Sequence, residues 1–498
     1  MTDTLHARTA AADLARRLSG NHFIGGRLVA AISGETFAVV DPATGEEIGR
    51  AANGSSADVD AAVDIAEQAQ KEWARMPARA RGKLLSQCAI RLQEHAEEIA
   101  RLLALESGKA IRTESRPEAS VVADCFTFYG GLAGELKGET IPFSPTMMTL
   151  TQYEPIGVVG AIIPWNAPLL LMAFKIAPAL AAGNTVVVKS AEEAPLAALR
   201  VIEILSQVLP AGVVNILSGF GPECGAPLVS HPKVRKVTFT GSVETGKHVA
   251  RAAADKLIPV TLELGGKSPM IVMDDADLEK AVEGAVAGMR FTRQGQSCTA
   301  ASRMFVHEAI VDAFAEKVAD KVNAMKMGDP LDEETDIGTI ISQGQFDRVH
   351  SYIRLGEQEA GVNIRRLSAV PSDPRFKKGF FVQPVVFTGI GNDHQVAREE
   401  IFGPVTCIIP FKNYEEVIEQ ANDSDFGLAA TIWTKSLKVA MDATQRLQAG
   451  LVQVNQNIVA QPGLSYGGIK QSGLGKEASL EAMLEHFAHK KTIIINLD

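Results

Sequence analysis

Three segments of the chain carry side chains able to make and break bonds. GQSCTA places Cys298 among small and polar residues. A thiolate there is a nucleophile if backbone N–H groups lower its pKa, although a lone cysteine is commonly a small buried apolar residue. LELGGK ends an apolar run on Glu263, and two glycines follow. A carboxylate at the carboxyl end of a strand faces the cleft of a doubly wound sheet and could take a proton from water. A strand-terminal surface Glu is the plainer reading. PWNAP sets Asn166 just ahead of a helix. Its amide N–H₂ suits an oxyanion and its carbonyl oxygen suits a helix N-cap, so the two roles use different atoms.

Other segments have the composition of a dinucleotide site. FTGSVETG joins a strand to a helix, Gly241 allows close backbone approach, and the helix N-terminus favours a pyrophosphate. The spacing Gly241-x4-Gly246 is not the usual G-x-G-x-x-G, and Gly219 to Gly225 holds one residue too many, so a tight turn explains either equally well. VVVKSAEE ends a strand on Lys189 with Glu192 three residues on. This pair could hold the hydroxyls of a ribose, or be solvated charges at a helix start.

The elements that must position these groups are legible between 156 and 264. IGVVGAII, TVVVK, VVNIL, KVTFT and PVTLEL read as strands. Between them lie helical segments: 167–182 with Gly183 as its stop, PLAALRVIEILSQVL with Pro195 near its first turn, a short GPECGAPLVS, and VETGKHVARAAAD. This alternation predicts a parallel, doubly wound sheet that binds ligands beyond its carboxyl ends. After Leu264 the alternation begins again and predicts a second α/β domain. In the N-terminal part FAVVDPATGEEIGR predicts a hairpin, and 56–107 is helical. KKTIIINLD is a β-rich tail. A free apolar strand is a liability, so it is expected to pair with another sheet, in this chain or in a neighbouring subunit.

Composition narrows the partners. The 498 residues suffice for two or more domains, and 46% apolar with 22% charged argues against disorder. The net charge of −10 argues against nucleic acid as the main partner. The most apolar region, Ile156 to Val188, is interrupted by Pro164, Asn166, Lys175 and Pro178, so no membrane span is expected. Five widely spaced cysteines without a CxxC pair predict no disulfide framework, no metal site and a reducing, cytoplasmic setting. The first 20 residues lack an apolar h-region and read as an exposed arm or short helix.

Taken in order, PWN, VVVK-x2-E, FTGS, LELGGK, GQSC, EEIFGP and GG-x-K-x-SG-x-G-x-E closely resemble the aldehyde dehydrogenase superfamily, over roughly residues 20 to 495. The resemblance implies an α/β fold with a Rossmann-type doubly wound cofactor domain, an α/β catalytic domain and a small β oligomerisation element. It implies boundaries of 1–132 and 152–262 for the NAD-binding domain, 263–470 for the catalytic domain, and 133–151 with 483–498 for the oligomerisation element. Cys298 matches the family's nucleophile, Glu263 its general base, and Asn166 with the Cys298 backbone N–H its oxyanion hole. Lys175 and Glu477 match a proton-relay region. Lys189 and Glu192 match adenine-ribose contacts, and Trp165 and Ser242 match positions near the pyrophosphate, beside Gly241 and Gly246. Glu400 and Phe402 match the nicotinamide-ribose clamp and its packing partner. The implied reaction is NAD-dependent oxidation of a small-molecule aldehyde to the acid through a Cys298 thioester, in a homodimer or homotetramer. Relatives that transfer the acyl group to coenzyme A generally lack Glu at position 263, so water is the implied acceptor. Glu192 would hold a ribose diol but repel a 2′-phosphate, by roughly 4 kcal/mol at 4 Å and an effective dielectric near 20, so NAD is expected over NADP.

The chain departs from the family where the substrate would enter. Ala167, Thr292 and Ala460 stand where bulky or aromatic residues are common, and Tyr466 replaces a usual Phe. With Leu171 they are expected to line a tunnel widened for a bulky, cyclic or aromatic aldehyde, unless Phe291, Phe174 and Leu171 refill the volume. Arg293 replaces a usual neutral residue. It either binds a substrate carboxylate, which would make the enzyme a semialdehyde dehydrogenase, or forms a structural salt bridge, which is the expected outcome. A non-catalytic relative that keeps the fold, and an esterase using the same thiol, are the remaining alternatives.

Overall fold

The computed structural model describes residues 2–457 and 460–498. Five Val-rich segments form the parallel centre of an eight-stranded sheet, in the spatial order Val214–Leu217, Thr185–Lys189, Val158–Ile162, Val234–Thr240, Val260–Glu263. All five residues of Thr185–Lys189 are buried, as strands covered by helices on both faces require. Chain order reverses between Val158–Ile162 and Val234–Thr240. The crevice beyond the carboxyl ends at that reversal is where a doubly wound sheet takes its ligand. Asn21–Ile24 extends one side antiparallel, and Gly473–Leu474 pairs antiparallel with Leu262 and Glu263 on the other.

The second α/β unit is built on a seven-stranded sheet, parallel except for its edge strand Asn363–Arg366. The tail strand Ala488–Asn496 pairs antiparallel with Met147–Pro155 of its own chain, which in turn pairs with Thr140–Ser144. This three-stranded sheet starts later than residue 133 and runs on to Pro155, beyond the expected limit at 151. The first residues form the helix Thr2–Leu18, whose Ala11, Ala15 and Leu18 are buried, so it is a docked element and not a loose arm. Among the described residues no helix is long and apolar enough to cross a membrane.

The helix Pro168–Ala182 is buried along its whole length. It stops at Gly183, whose φ of 97° is a left-handed value that glycine adopts without strain. Its N-terminus corrects one expectation. Asn166 is not the cap; the residue at that position is Ala167, which makes no side-chain cap. Glu118 supplies the acceptor instead, Oε1 taking the N–H groups of Leu169 and Leu170 at 3.0 and 3.4 Å. The carbonyl oxygen of Asn166 is thus not needed at the helix start.

Candidate active site

The reversal in strand order opens into a groove of about 870 Å³, within the ordinary range for cofactor-sized sites. Trp165, Asn166, Gly241, Ser242, Cys298, Glu400 and Phe402 all line it. Trp165 and Phe402 meet edge to face with centroids 5.2 Å apart. Ser242 caps the helix Val243–Asp255, its Oγ accepting the Thr245 N–H at 3.2 Å. Glu400 Oε1 accepts the Gly266 N–H at 2.8 Å, and a Cβ on Gly265 would stand 2.3 Å from its other oxygen, so a side chain there would displace the carboxylate. Burial lifts the Glu400 carboxyl to about 7 against that hydrogen bond. The hydroxyl of Thr240, also on the groove wall, is buried without a partner. An orphaned donor, a helix N-terminus and two aromatic rings fit the polar and planar parts of a dinucleotide.

Lys189 and Glu192 stand outside this lining, paired with each other at 2.8 Å at the end of the neighbouring strand. Gly246 also lies off the groove. A Cβ there would come 2.5 Å from Leu264, so helix-to-strand packing accounts for this glycine.

At the inner end of the groove, Asn166 Nδ2 reaches the Gln296 carbonyl at 3.2 Å, which aims the amide at the turn carrying the cysteine. Cys298 Sγ lies 3.2 Å from the Tyr466 hydroxyl. Burial pushes this thiol up to about 11; the Tyr466 hydrogen bond opposes the rise, and Glu400 and Glu263 add to it. The other four cysteines are buried and free. Glu263 is 2% exposed, and neither carboxylate oxygen has a hydrogen-bond partner among the described residues. Burial, then neighbouring Glu477, push its pKa well above the usual carboxylate range, while Lys175 and Lys476 pull the other way. Behind it Lys175 Nζ bonds Glu477 Oε1 at 2.6 Å, both side chains fully buried.

The expected tunnel residues divide. Ala167, Leu171, Phe174 and Tyr466 belong to one buried cluster, with Cys298 and Ala460 packed on its edge. Phe291 belongs to a different buried cluster, so it does not refill this volume. Thr292 donates its hydroxyl to Glu114 Oε1. Arg293 is held by the same carboxylate, Nε to Oε2 at 2.7 Å. Its guanidinium is committed to a structural ion pair. Residues 458 and 459, inside the late loop that carries Ala460, lie outside the described residues.

Sequence reasoning missed several groups. Tyr466 was assigned by size, and its hydroxyl contact with Cys298 carries no local signal. Gln345 Nε2 donates to the carbonyls of Ile401 and Phe402 at 3.1 and 2.8 Å, and Arg348 Nη2 donates to that of Glu400 at 2.6 Å. These two side chains fix the turn on which Phe402 takes a φ of 59°.

A doubly wound sheet with a thiol, an amide and a buried carboxylate at its switch point defines a class of cofactor-dependent enzyme with a covalent nucleophile. Comparison with known proteins makes the class specific. Residues 29–493 match the model of the aldehyde dehydrogenase family. The chain is 42% identical over 479 residues to hydroxyisobutyraldehyde dehydrogenase of Mycolicibacterium austroafricanum, covering 96% of this chain and 94% of that one. It is 42% identical over 478 residues to mitochondrial benzaldehyde dehydrogenase of Antirrhinum majus, covering 95% and 88%. Its fold matches the NAD+ complex of aldehyde dehydrogenase from Bacillus cereus with a TM-score of 0.93 at 38% identity, over 98% of both chains. The chain belongs to the aldehyde dehydrogenase family and is an oxidoreductase of that kind.

Proposed function

We propose that the protein oxidises a bulky aldehyde to its carboxylic acid through a thioester on Cys298, with NAD as cofactor. The observation that carries this reading is that Cys298 and Asn166 line one cofactor-sized groove, with the unpartnered Glu263 carboxylate near enough to act on the Cys298 thiol. Cys298 loses its thiol proton to water in the groove, Sγ attacks the aldehyde carbon, and the oxyanion is held by Asn166 Nδ2 and the Cys298 backbone N–H. Loss of one such donor typically costs about 3–4 kcal/mol of barrier. When bound, NAD supplies the hydride acceptor that lets the adduct on Cys298 become a thioester. Trp165, Gly241, Ser242, Glu400 and Phe402 would hold it along the groove, Gly246 would let the helix pack close, and Lys189 with Glu192 would exchange their mutual contact for the ribose hydroxyls. Glu263 takes a proton from the water that releases the acid, and Lys175 with Glu477 receives it.

The substrate is proposed to lie against Ala167, Leu171, Ala460 and Tyr466, where small side chains leave room beside Phe174. Branched aliphatic and aromatic aldehydes, the kinds named in the two relatives, both suit such a space. The alternative of a substrate carboxylate on Arg293 is disfavoured, because Glu114 occupies that guanidinium as expected. A homodimer or homotetramer is proposed through the three-stranded sheet, whose Ile141, Phe143, Met148, Ile494 and Ile495 are exposed apolar side chains. The free thiols suit a reducing, cytoplasmic setting.

The test is NADH formation with a panel of aliphatic, aromatic and carboxylated aldehydes. Branched or aromatic members should lead, with kcat/KM at least about fivefold better with NAD than with NADP, a factor that corresponds to about 1 kcal/mol of the Glu192 repulsion. A tenfold preference for NADP would contradict the cofactor assignment. Ala167→Phe should harm bulky substrates more than acetaldehyde, and equal losses would remove the argument for a widened tunnel.

A further inference from the structure

Lys236 has no part in the chemistry above, yet its side chain is fully buried within reach of that chemistry. The strands Val234–Thr240 and Val260–Glu263 run parallel, with Thr238 beside Thr261 and Thr240 beside Glu263. Side chains alternate along a strand, so Lys236, Thr238 and Thr240 share one face of the first strand. Thr261 and Glu263 continue the same face on the second. All five are buried. The face is covered by Lys175, by Glu477 and by the end of the helix Leu480–His486 with Phe487.

Polar groups succeed one another along this face, joined by hydrogen bonds at Glu477–Thr238 and at Thr261–Lys236. Thr238 Oγ1 donates to Glu477 Oε1 at 2.9 Å, on the oxygen that also takes Lys175. Thr261, the cross-strand neighbour of Thr238, accepts the Lys236 ammonium at 3.3 Å. Lys236 Nζ makes no carboxylate contact and otherwise faces the Phe487 ring, 5.2 Å from its centroid. The point where Gly475 lacks a Cβ lies 2.8 Å from Thr261 Cγ2 and 3.2 Å from His486 Nε2, which places the imidazole next to Thr261. His486 is half-buried, and its Nε2 accepts the Lys476 N–H at 3.2 Å. At the inner end, Glu263 Oε1 and Oε2 and Glu477 Oε2 are buried without partners.

We propose that Lys236 is the inner proton carrier through which the proton taken by Glu263 leaves the protein, with His486 as the outer carrier at the half-exposed edge. The proposal rests on the reading of Glu263 as general base. Water gives its proton to the Glu263 carboxylate as its oxygen bonds the thioester carbon. The proton moves from Glu263 to Glu477, across the Thr238 and Thr261 hydroxyls, and onto the neutral Lys236 amine. Lys236 hands it to His486 Nε2 as the Lys476 N–H contact opens, and the proton on Nδ1 departs to solvent. No electrons move; exchange of the imidazole proton from Nε2 back to Nδ1 and rotation of the two hydroxyls then return every group to its starting state.

Two physical features favour this role over a structural one. A lone ammonium in an apolar interior is costly, and such a group favours its neutral form. Burial draws Lys236 down to about 7, with Glu477 opposing and Lys175 assisting, while burial and Glu477 draw Glu263 upward. An acid and a base brought toward each other exchange a proton with little loss of free energy. The other charged groups that face this row are Lys476, beside Glu263, and Glu485, beside His486.

The test follows the acyl adduct on Cys298 directly, by mixing the full-length protein with NAD and a turned-over aldehyde, quenching, and reading intact mass against time. In K236M the adduct should form at the wild-type rate and decay about tenfold more slowly, with a larger solvent deuterium isotope effect. Wild-type decay should slow as pH falls below about 7, where Lys236 already holds a proton, and K236M should lose that limb. H486F, at the half-exposed edge, should slow decay a few-fold in the same direction. Wild-type decay and an unchanged pH profile in a folded K236M would overturn the proposal. If K236M fails to fold, unchanged decay and isotope effect in H486F would overturn it. Absence of any adduct in the wild-type protein would instead overturn the thioester reading beneath it.

Discussion

Two buried charged regions flank the thiol, and they are built in opposite ways. Around Glu114 the buried carboxylates are matched. Its carboxylate takes Arg293 and the Thr292 hydroxyl, and nearby Lys109 holds Glu118, whose other oxygen caps the helix Pro168–Ala182. Burial pushes the Glu114 carboxyl up, but Arg293 and Thr292 outweigh this and hold it below its ordinary value. Around Glu263 only Glu477 is matched, by Lys175 and Thr238, and Glu263 itself has no partner among the described residues. Both oxygens are orphaned and its pKa is driven up. Unpaired buried polar groups are rare and costly, and they concentrate where a proton must move. The paired region fixes the positions of the cysteine turn and the long helix, and the unpaired region is free to react.

The comparison breaks most visibly at Glu263. Glu263→Gln removes the base and should lower kcat by about 10²–10⁴-fold while leaving thermal stability near wild type. A variant that lost stability instead would place Glu263 with the structural charges. Glu114→Gln should do the reverse. It leaves Arg293 buried and uncompensated and should cost about 3–5 kcal/mol of stability in denaturant unfolding. The smallest effect is expected at Tyr466, which links the two regions through Cys298. With the thiol at about 11, alkylation of the free enzyme by iodoacetamide should rise about tenfold per pH unit from 7 to 10, because the thiolate is the reactive form. Tyr466→Phe removes a hydrogen bond to the thiolate and should slow alkylation at fixed pH by up to about tenfold. A pH-independent rate would contradict the elevated thiol.

How much of this was legible in the sequence follows the same division. The alternation from 156 to 264 gave the doubly wound sheet because buried parallel strands are continuous Val-rich runs, and Gly183 marks a helix end. The motifs around Cys298, Glu263 and Asn166 named the groups at the inner end of the groove. The paired region was not legible. Glu114 and Glu118 meet their partners across long stretches of chain, and nothing periodic announces such a contact. For that reason Asn166 looked like a helix cap. Gly246 looked like a phosphate contact, but its packing against Leu264 was hidden for the same reason.

The central claim is that an acyl group is carried by one sulfur and released by one carboxylate. The most direct measurement is peptide mapping by mass spectrometry of Glu263→Gln, quenched after mixing with NAD and a substrate aldehyde. The account predicts a stoichiometric acyl mass on the peptide containing Cys298. An unmodified Cys298 peptide alongside NADH production, or the acyl group on another residue, would contradict it.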